Sequence, residues 1–161
     1  MEVTTLAYIA GFLDGDGSVI LQLKPRSDYA YGFQIKATVS FYQKKTNRSI
    51  LEWLRDTLKL GIVRDRNDGI SEYDVEGFEQ VRQLLELLQP YVVLKRNQVE
   101  TALDLIDQII SEPDPSPEKF LEWCGKVEEF QTLNYSKTRK HTQASVRSAL
   151  SGKGFLDPRN D

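Results

Sequence analysis

The 161 residues include one cysteine, Cys124, and one histidine, His141. A lone cysteine cannot close a disulfide within the chain, which fits a reducing compartment. It has no histidine or basic neighbour in sequence, so a packed thiol is expected rather than a nucleophile. With a single imidazole, zinc sites of the Cys/His type and Ser-His-Asp triads have no material. No apolar run approaches the roughly 20 residues of a membrane span, so no membrane partner is expected. The N-terminus has no basic n-region and no secretory signal is expected. An intracellular location, in an organelle or a prokaryotic cytoplasm, is expected. An excess of positive charge is also missing: the chain totals −3.

The distribution of charge says more than its sum. Residues 18–50 hold six Lys or Arg against Asp28 alone. Residues 97–131 hold nine Asp or Glu against Lys119 and Lys126, and residues 134–161 are basic again, six against two. A polyanion is steered by local field, so this segregation is compatible with nucleic acid despite the negative total. A hydrophobic content of 40% is enough for a core. The length suits one domain, taken as 1–150, with 151–161 as a polar, flexible tail.

Hydrophobic periodicity orders the chain. Leu6, Ile9, Ala10 and Leu13 recur at helical spacing after Thr4 or Thr5, either of which can cap a helix ending near Asp14. The period then changes to two. Val19, Leu21 and Leu23 alternate with polar residues, and Phe33, Ile35, Ala37, Val39 and Phe41 do the same, which predicts a long antiparallel hairpin with one polar face. A helix over 46–59 closed by Gly61, a short hairpin turning at Asn67-Asp68-Gly69, and a helix over Phe78–Leu88 follow. The order is αββαββα: an α+β fold, with a four-stranded antiparallel sheet carrying helices on one face. Further helices are predicted over 96–110, after the Ser116 cap, and over 143–150. Trp53 and Trp123 fall on apolar helix faces and are expected in the core.

Residues 9–17 read Ile-Ala-Gly-Phe-Leu-Asp-Gly-Asp-Gly. Ala10 and Gly11 are small enough for another backbone to approach closely. Asp16 sits at a helix C-terminus, where the peptide dipoles do not favour an anion and a cation would neutralise it. A calcium loop of the EF-hand type is excluded by spacing, because residues 18–25 lack its further oxygen ligands.

The nonapeptide, with the αββαββα order after it, resembles the LAGLIDADG homing endonucleases, and is most similar to their single-motif, homodimeric members. The resemblance covers nearly the whole chain. It implies a site-specific double-strand DNA endonuclease of the intron-homing type, cutting a long pseudo-palindromic target by metal-dependent phosphodiester hydrolysis. Gly15 and Asp16 would hold the metal, Mg²⁺, with Mn²⁺ as a substitute and Ca²⁺ as a non-catalytic occupant. Asp16, Gln43 and Lys95 would be catalytic, Gln43 ordering the attacking water and Lys95 stabilising charge on the phosphate. Ala10 and Gly11 would form the dimer interface. Relatives often carry a basic residue four after the glutamine; here that position is Asn47, with Arg48 beside it as a substitute.

Partners implied are double-stranded DNA and a second copy of the chain, with intron RNA for a maturase. A cleavage-inactive DNA-binding regulator is the other alternative. On the hairpins, Gln22, Lys24, Arg26, Tyr29, Gln34, Lys36, Thr38, Ser40, Arg64, Arg66, Glu72 and Tyr73 would meet DNA. Arg and Lys suit guanine and Gln suits adenine in the major groove. Lys137, Arg139 and Lys140 would clamp phosphates. A nine-residue strand reaches about 30 Å, or some nine base pairs, so two copies would cover about 20.

Overall fold

The computed structural model describes residues 1–134 and 140–157. Its elements follow the predicted order: α1 (Val3–Asp16), β1 (Gly17–Pro25), β2 (Phe33–Lys44), α2 (Arg48–Leu58), β3 (Ile62–Asp65), β4 (Ile70–Glu76) and α3 (Phe78–Leu88). Then come α4 (Arg96–Ser111), α5 (Pro117–Gln131) and α6 (Gln143–Gly152). The four strands form one antiparallel sheet in the order β1-β2-β4-β3. One face is covered by helices. Val19, Leu21, Ile35, Ala37, Val39 and Phe41 point into that core and alternate with more polar neighbours.

Helix α1 is longer than expected. Glu2, not a threonine, occupies its N-cap position, without a side-chain bond, and the helix runs through Gly15 to Asp16. Gly15 stays helical, with open space where a Cβ would be. The obligatory glycine is Gly17. Its backbone is extended, but a Cβ there would come within 2.8–2.9 Å of Leu13 side-chain and backbone atoms. The absence of that Cβ lets β1 start against the helix end.

Helix α2 buries Leu51, Leu54 and Leu58 along one stripe, each contributing about 1.5–3 kcal/mol by removal from water. It ends with Lys59 at φ 58° rather than with a glycine. Gly61 is needed for a different reason: at φ 66°, a Cβ would lie 2.2 Å from the Asp74 carbonyl of β4. Trp53, expected in the core, is 39% exposed and packs edge-on against Tyr8 of α1 at 5.7 Å. Trp123 is buried as expected. Cys124 beside it is buried too, and burial pushes its thiol up to about 12, so it serves packing and not nucleophilic chemistry. Ser116 caps α5 by accepting from the Lys119 N–H, with Pro117 opening the helix. After α6, Phe155 packs edge-on against Tyr31 at 5.3 Å. No helix among the described residues is long and apolar enough to cross a membrane.

Candidate nuclease centre and nucleic-acid interface

The two acids closing α1 have separate roles. Asp14 turns inward to the loop before α4. Its carboxylate accepts from the N–H groups of Val93, Leu94 and Lys95 at 2.8–3.0 Å, and the Lys95 ammonium donates back to the Asp14 carbonyl. Partial burial pushes this carboxyl up. The three N–H donors and the Lys95 charge outweigh that effect and hold it below its ordinary 3.8. Asp14 thus anchors Lys95 at the end of α1.

A carboxyl depressed on folding stabilises the protein above its unfolded value and loses that contribution as pH falls through the folded one. Asp14→Ala is therefore expected to cost about 1–2 kcal/mol at neutral pH, discounted for partial solvation. Urea titration of both proteins across pH should show the gap closing below 3.8.

Asp16 is exposed on the other side of the helix end. It accepts from Gln43 Nε2 at 2.9 Å. Gln43 comes from the end of strand β2, on the helix side of the sheet just beyond Phe41. Asn47 Nδ2 donates to Gln43 Oε1 at 3.4 Å, so the residue standing where a base is common continues the chain Asn47–Gln43–Asp16. Arg48, beside Asn47, is turned to other partners. It is held by Glu52 at 3.1 Å and by Asp65 at 2.9 Å, and Lys45 also pairs with Asp65. Burial pushes the Lys95 ammonium down against the pull of Asp14 and Asp16, whose charges it senses. A hollow of about 720 Å³ opens beside these groups, lined by Ala7, Gly11, Gly15, Asp16, Gln43 and Asn47 among others.

The outer face of α1 carries Ala7, Tyr8, Gly11 and Gly15, all exposed and at helical spacing. At Gly11 nothing lies within 4 Å of a built Cβ. Ala10 is different: it is fully buried in this chain's own core between Ile9 and Leu13. Its expected place in a dimer interface is corrected, because it lies about 100° around the helix from Gly11. Val93 and Leu94, bonded to Asp14, are 76% and 64% exposed and extend the apolar surface.

The outer sheet face gathers most of the residues expected to meet DNA. Gln22 and Lys24 of β1 stand opposite Lys36 and Gln34 of β2, and Thr38 follows on the same face. Arg64 of β3 stands opposite Glu72 of β4. Tyr73 does not belong there. It is fully buried on the helix side, stacked on Phe41 at 5.7 Å, with its hydroxyl donating to the Leu60 carbonyl. Ser40 has the right parity but is only 3% exposed. It donates to Asp74 at 2.5 Å, and Asp74 also accepts from Arg64 at 2.5 Å.

The cations here are largely paired within the chain: Arg26 with Asp28 at 2.6 Å, Lys36 with Glu76 at 2.9 Å, Arg66 with Asp68 at 2.8 Å. Arg26 also lies over the Tyr29 ring at 5.2 Å. Asp74 and Glu76, which continue on β4 the row that Glu72 begins, are what the sequence analysis missed. The row's period-two spacing was the available signal. Lys140 is exposed; Lys137 and Arg139 lie outside the described residues.

Among the described residues no group of three or more His, Cys, Asp or Glu gathers to hold a metal ion. What one chain offers at this point is oxygen: the exposed Asp16 carboxylate and the Gly15 carbonyl at the C-terminal end of α1. Hard oxygen donors at the negative end of a helix fit a divalent cation such as Mg²⁺.

The sequence pattern of the LAGLIDADG endonuclease family matches residues 9–102. The chain is 41% identical over 145 residues to the DNA endonuclease I-CreI of Chlamydomonas reinhardtii, covering 90% of this chain and 88% of that one. It is 34% identical over 150 residues to the DNA endonuclease I-CvuI of Chlorella vulgaris, covering 93% and 92%. The crystal structure of I-CvuI on the I-CreI target with 2 mM Mg, its DNA uncleaved, superposes with a TM-score of 0.90 over 96% of this chain and 97% of that one. I-CvuI on its own target in 2 mM Ca also gives 0.90 with the same coverage. These relatives span almost the same length, and the nonapeptide bearing Asp16 and Gly11 lies within the matched segment. The chain is a member of the LAGLIDADG endonuclease family.

Proposed function

We propose that two copies of this chain pair through the outer faces of α1 and cut both strands of a long pseudo-palindromic DNA site. The observation that carries this reading is the Asn47–Gln43–Asp16 hydrogen-bond chain at the exposed end of α1. It holds the Asp16 carboxylate at the end of a helix whose outer face is apolar and, at Ala7, Gly11 and Gly15, exposed. A helix apolar all round asks for burial on both sides. Pairing two α1 helices at Gly11 buries the second side and brings both Asp16 groups to one two-fold axis. The reading takes residues 1–150 as one endonuclease domain.

Asp16 and the Gly15 carbonyl would hold the divalent ion, together with DNA phosphate oxygens and water. The ion supplies charge neutralisation at the scissile phosphate and acidifies bound water. Gln43 fixes the Asp16 carboxylate through one end of its amide, and its carbonyl end, bonded to Asn47, faces the hollow where water can be ordered. Lys95 is held by Asp14, so its positive charge stays near Asp16 and offsets charge building on the phosphate. The outer sheet face follows the major groove. There Arg26, Lys36, Arg64 and Arg66 must exchange their carboxylate partners for DNA, Gln34 accepts from Arg26 at 3.4 Å, and Gln22, Lys24 and Thr38 are presented directly. This arrangement favours cleavage over the maturase and binding-only alternatives, in which Asp16 needs no fixed partner.

Incubating the protein with a randomised duplex library and Mg²⁺ tests the proposal. Cleaved molecules should share one pseudo-palindrome of about 20 base pairs, and EDTA should abolish cutting. A folded dimer that binds DNA but cuts no shared sequence would overturn it.

A further inference from the structure

A second hollow, also about 720 Å³, lies at the sheet edge, and Asp16, Gln43 and Lys95 are not among its walls. It forms where β4 ends. β2 continues to Phe33 paired on one side only, by β1. The Gly77 N–H donates to the Ala37 carbonyl at 3.2 Å, so the main-chain groups of odd-numbered β2 residues point toward β4. Two and four residues earlier, those of Ile35 and Phe33 point into the space that β4 has left. An open strand edge of this kind is a template for another strand.

The hollow's interior is apolar, with Phe33, Ile35, Phe78, Ile110, Phe120 and Trp123 among its walls. Glu76, Glu79, Glu112 and Asp114 also line it. Glu76 is bound by Lys36, whereas Glu79, Glu112 and Asp114 are exposed and form no ion pair among the described residues. Ile109 to Glu112 close α4, whose C-terminal end adds partial negative charge. The first turn of α3 on the other wall carries Glu79, which sets a full negative charge against its positive end.

We infer that this edge docks an extended peptide segment of a partner protein, rich in apolar and basic residues, which adds to β2 as a short strand. The main-chain donors and acceptors of Phe33 and Ile35 on this side, unpaired among the described residues, match a peptide backbone at strand spacing. Apolar side chains on one face of the added strand enter the hollow, and basic residues at its two ends reach the carboxylates of Glu79, Glu112 and Asp114 at the rim. Nucleic acid is disfavoured, because these carboxylates repel a phosphate backbone.

Isothermal titration of the full chain with a capped six-residue peptide, a central valine-threonine-valine with arginines at both ends, tests this. Saturable binding with one site per chain is expected. A peptide of the same sequence N-methylated at every amide should bind at least about tenfold more weakly, because it cannot donate to β2. The triple variant Glu79→Gln, Glu112→Gln, Asp114→Asn changes exposed side chains only, and should weaken the parent peptide by about tenfold. Absence of binding would overturn the inference. So would equal binding of the N-methylated peptide, which would mark a site for cations in general, or an unchanged affinity in the triple variant. The readout is independent of DNA cleavage, so its failure leaves the nuclease proposal standing.

Discussion

Asp16→Asn is expected to abolish cleavage, by about 10³-fold or more, while DNA affinity changes by only a few-fold. The asparagine is isosteric, and its carbonyl oxygen can still accept from Gln43 Nε2, so the local structure holds. The lost element is the charge. A neutral amide at the C-terminal end of α1 no longer supplies the anionic ligand that a hard divalent cation needs. The factor reflects the several kcal/mol that cation-stabilised phosphate charge contributes to the barrier. Single-turnover cleavage and a gel-shift titration in Ca²⁺ separate the two effects. Equal loss of binding and cutting would make Asp16 a structural residue; undiminished cutting would remove it from the site.

Gly11→Glu should have the second large effect, through assembly. Among the described residues, nothing beyond the adjoining turns of α1 itself lies within 4 Å of where a Gly11 Cβ would stand, so a single chain accommodates the side chain, and replacing a mid-helix glycine favours the helix by some tenths of a kcal/mol. In a pair of α1 helices the same position would meet its copy. A bulky carboxylate on each side then combines steric exclusion with like-charge repulsion, at a cost of several kcal/mol. Sedimentation should show a folded monomer of unchanged or slightly raised Tm, dimer affinity lowered by about 10³-fold, and cleavage lost with the dimer. A variant that remains dimeric would move the interface away from this face.

Much of this was legible in the sequence, through two periods and one motif. The switch from helical to period-two spacing at Gly17 marks the join of α1 and β1, and the alternation in β2 sets which side chains face out. Gln43 and Asp16 are 27 residues apart, and nothing local pairs them; family resemblance singled out both, and the fold brings them to 2.9 Å.

The errors are errors of face. Glu72 and Tyr73 are neighbours on one strand and cannot both meet DNA, since a single step reverses the side. Ala10 and Gly11, one step and 100° apart on the helix, likewise part company: Ala10 is buried in this chain's own core and Gly11 is exposed. What the sequence hid was pairing across strands. The carboxylates of Glu72, Asp74 and Glu76 stand beside Arg64 and Lys36 only after β4 docks between β2 and β3, so the outer face looked more basic than it is. Asp14 was overshadowed by Asp16, and its role became visible only with the loop at 93–95 folded against it.

The central claim is that two Asp16 groups from two chains work over one duplex. Strand-resolved mapping of the cut ends from the selected target tests it most directly. The account predicts one cut on each strand, placed symmetrically about a single dyad with a short stagger, and dependent on Mg²⁺. Cuts confined to one strand, or scattered without a common dyad, from a folded and DNA-bound dimer would contradict it.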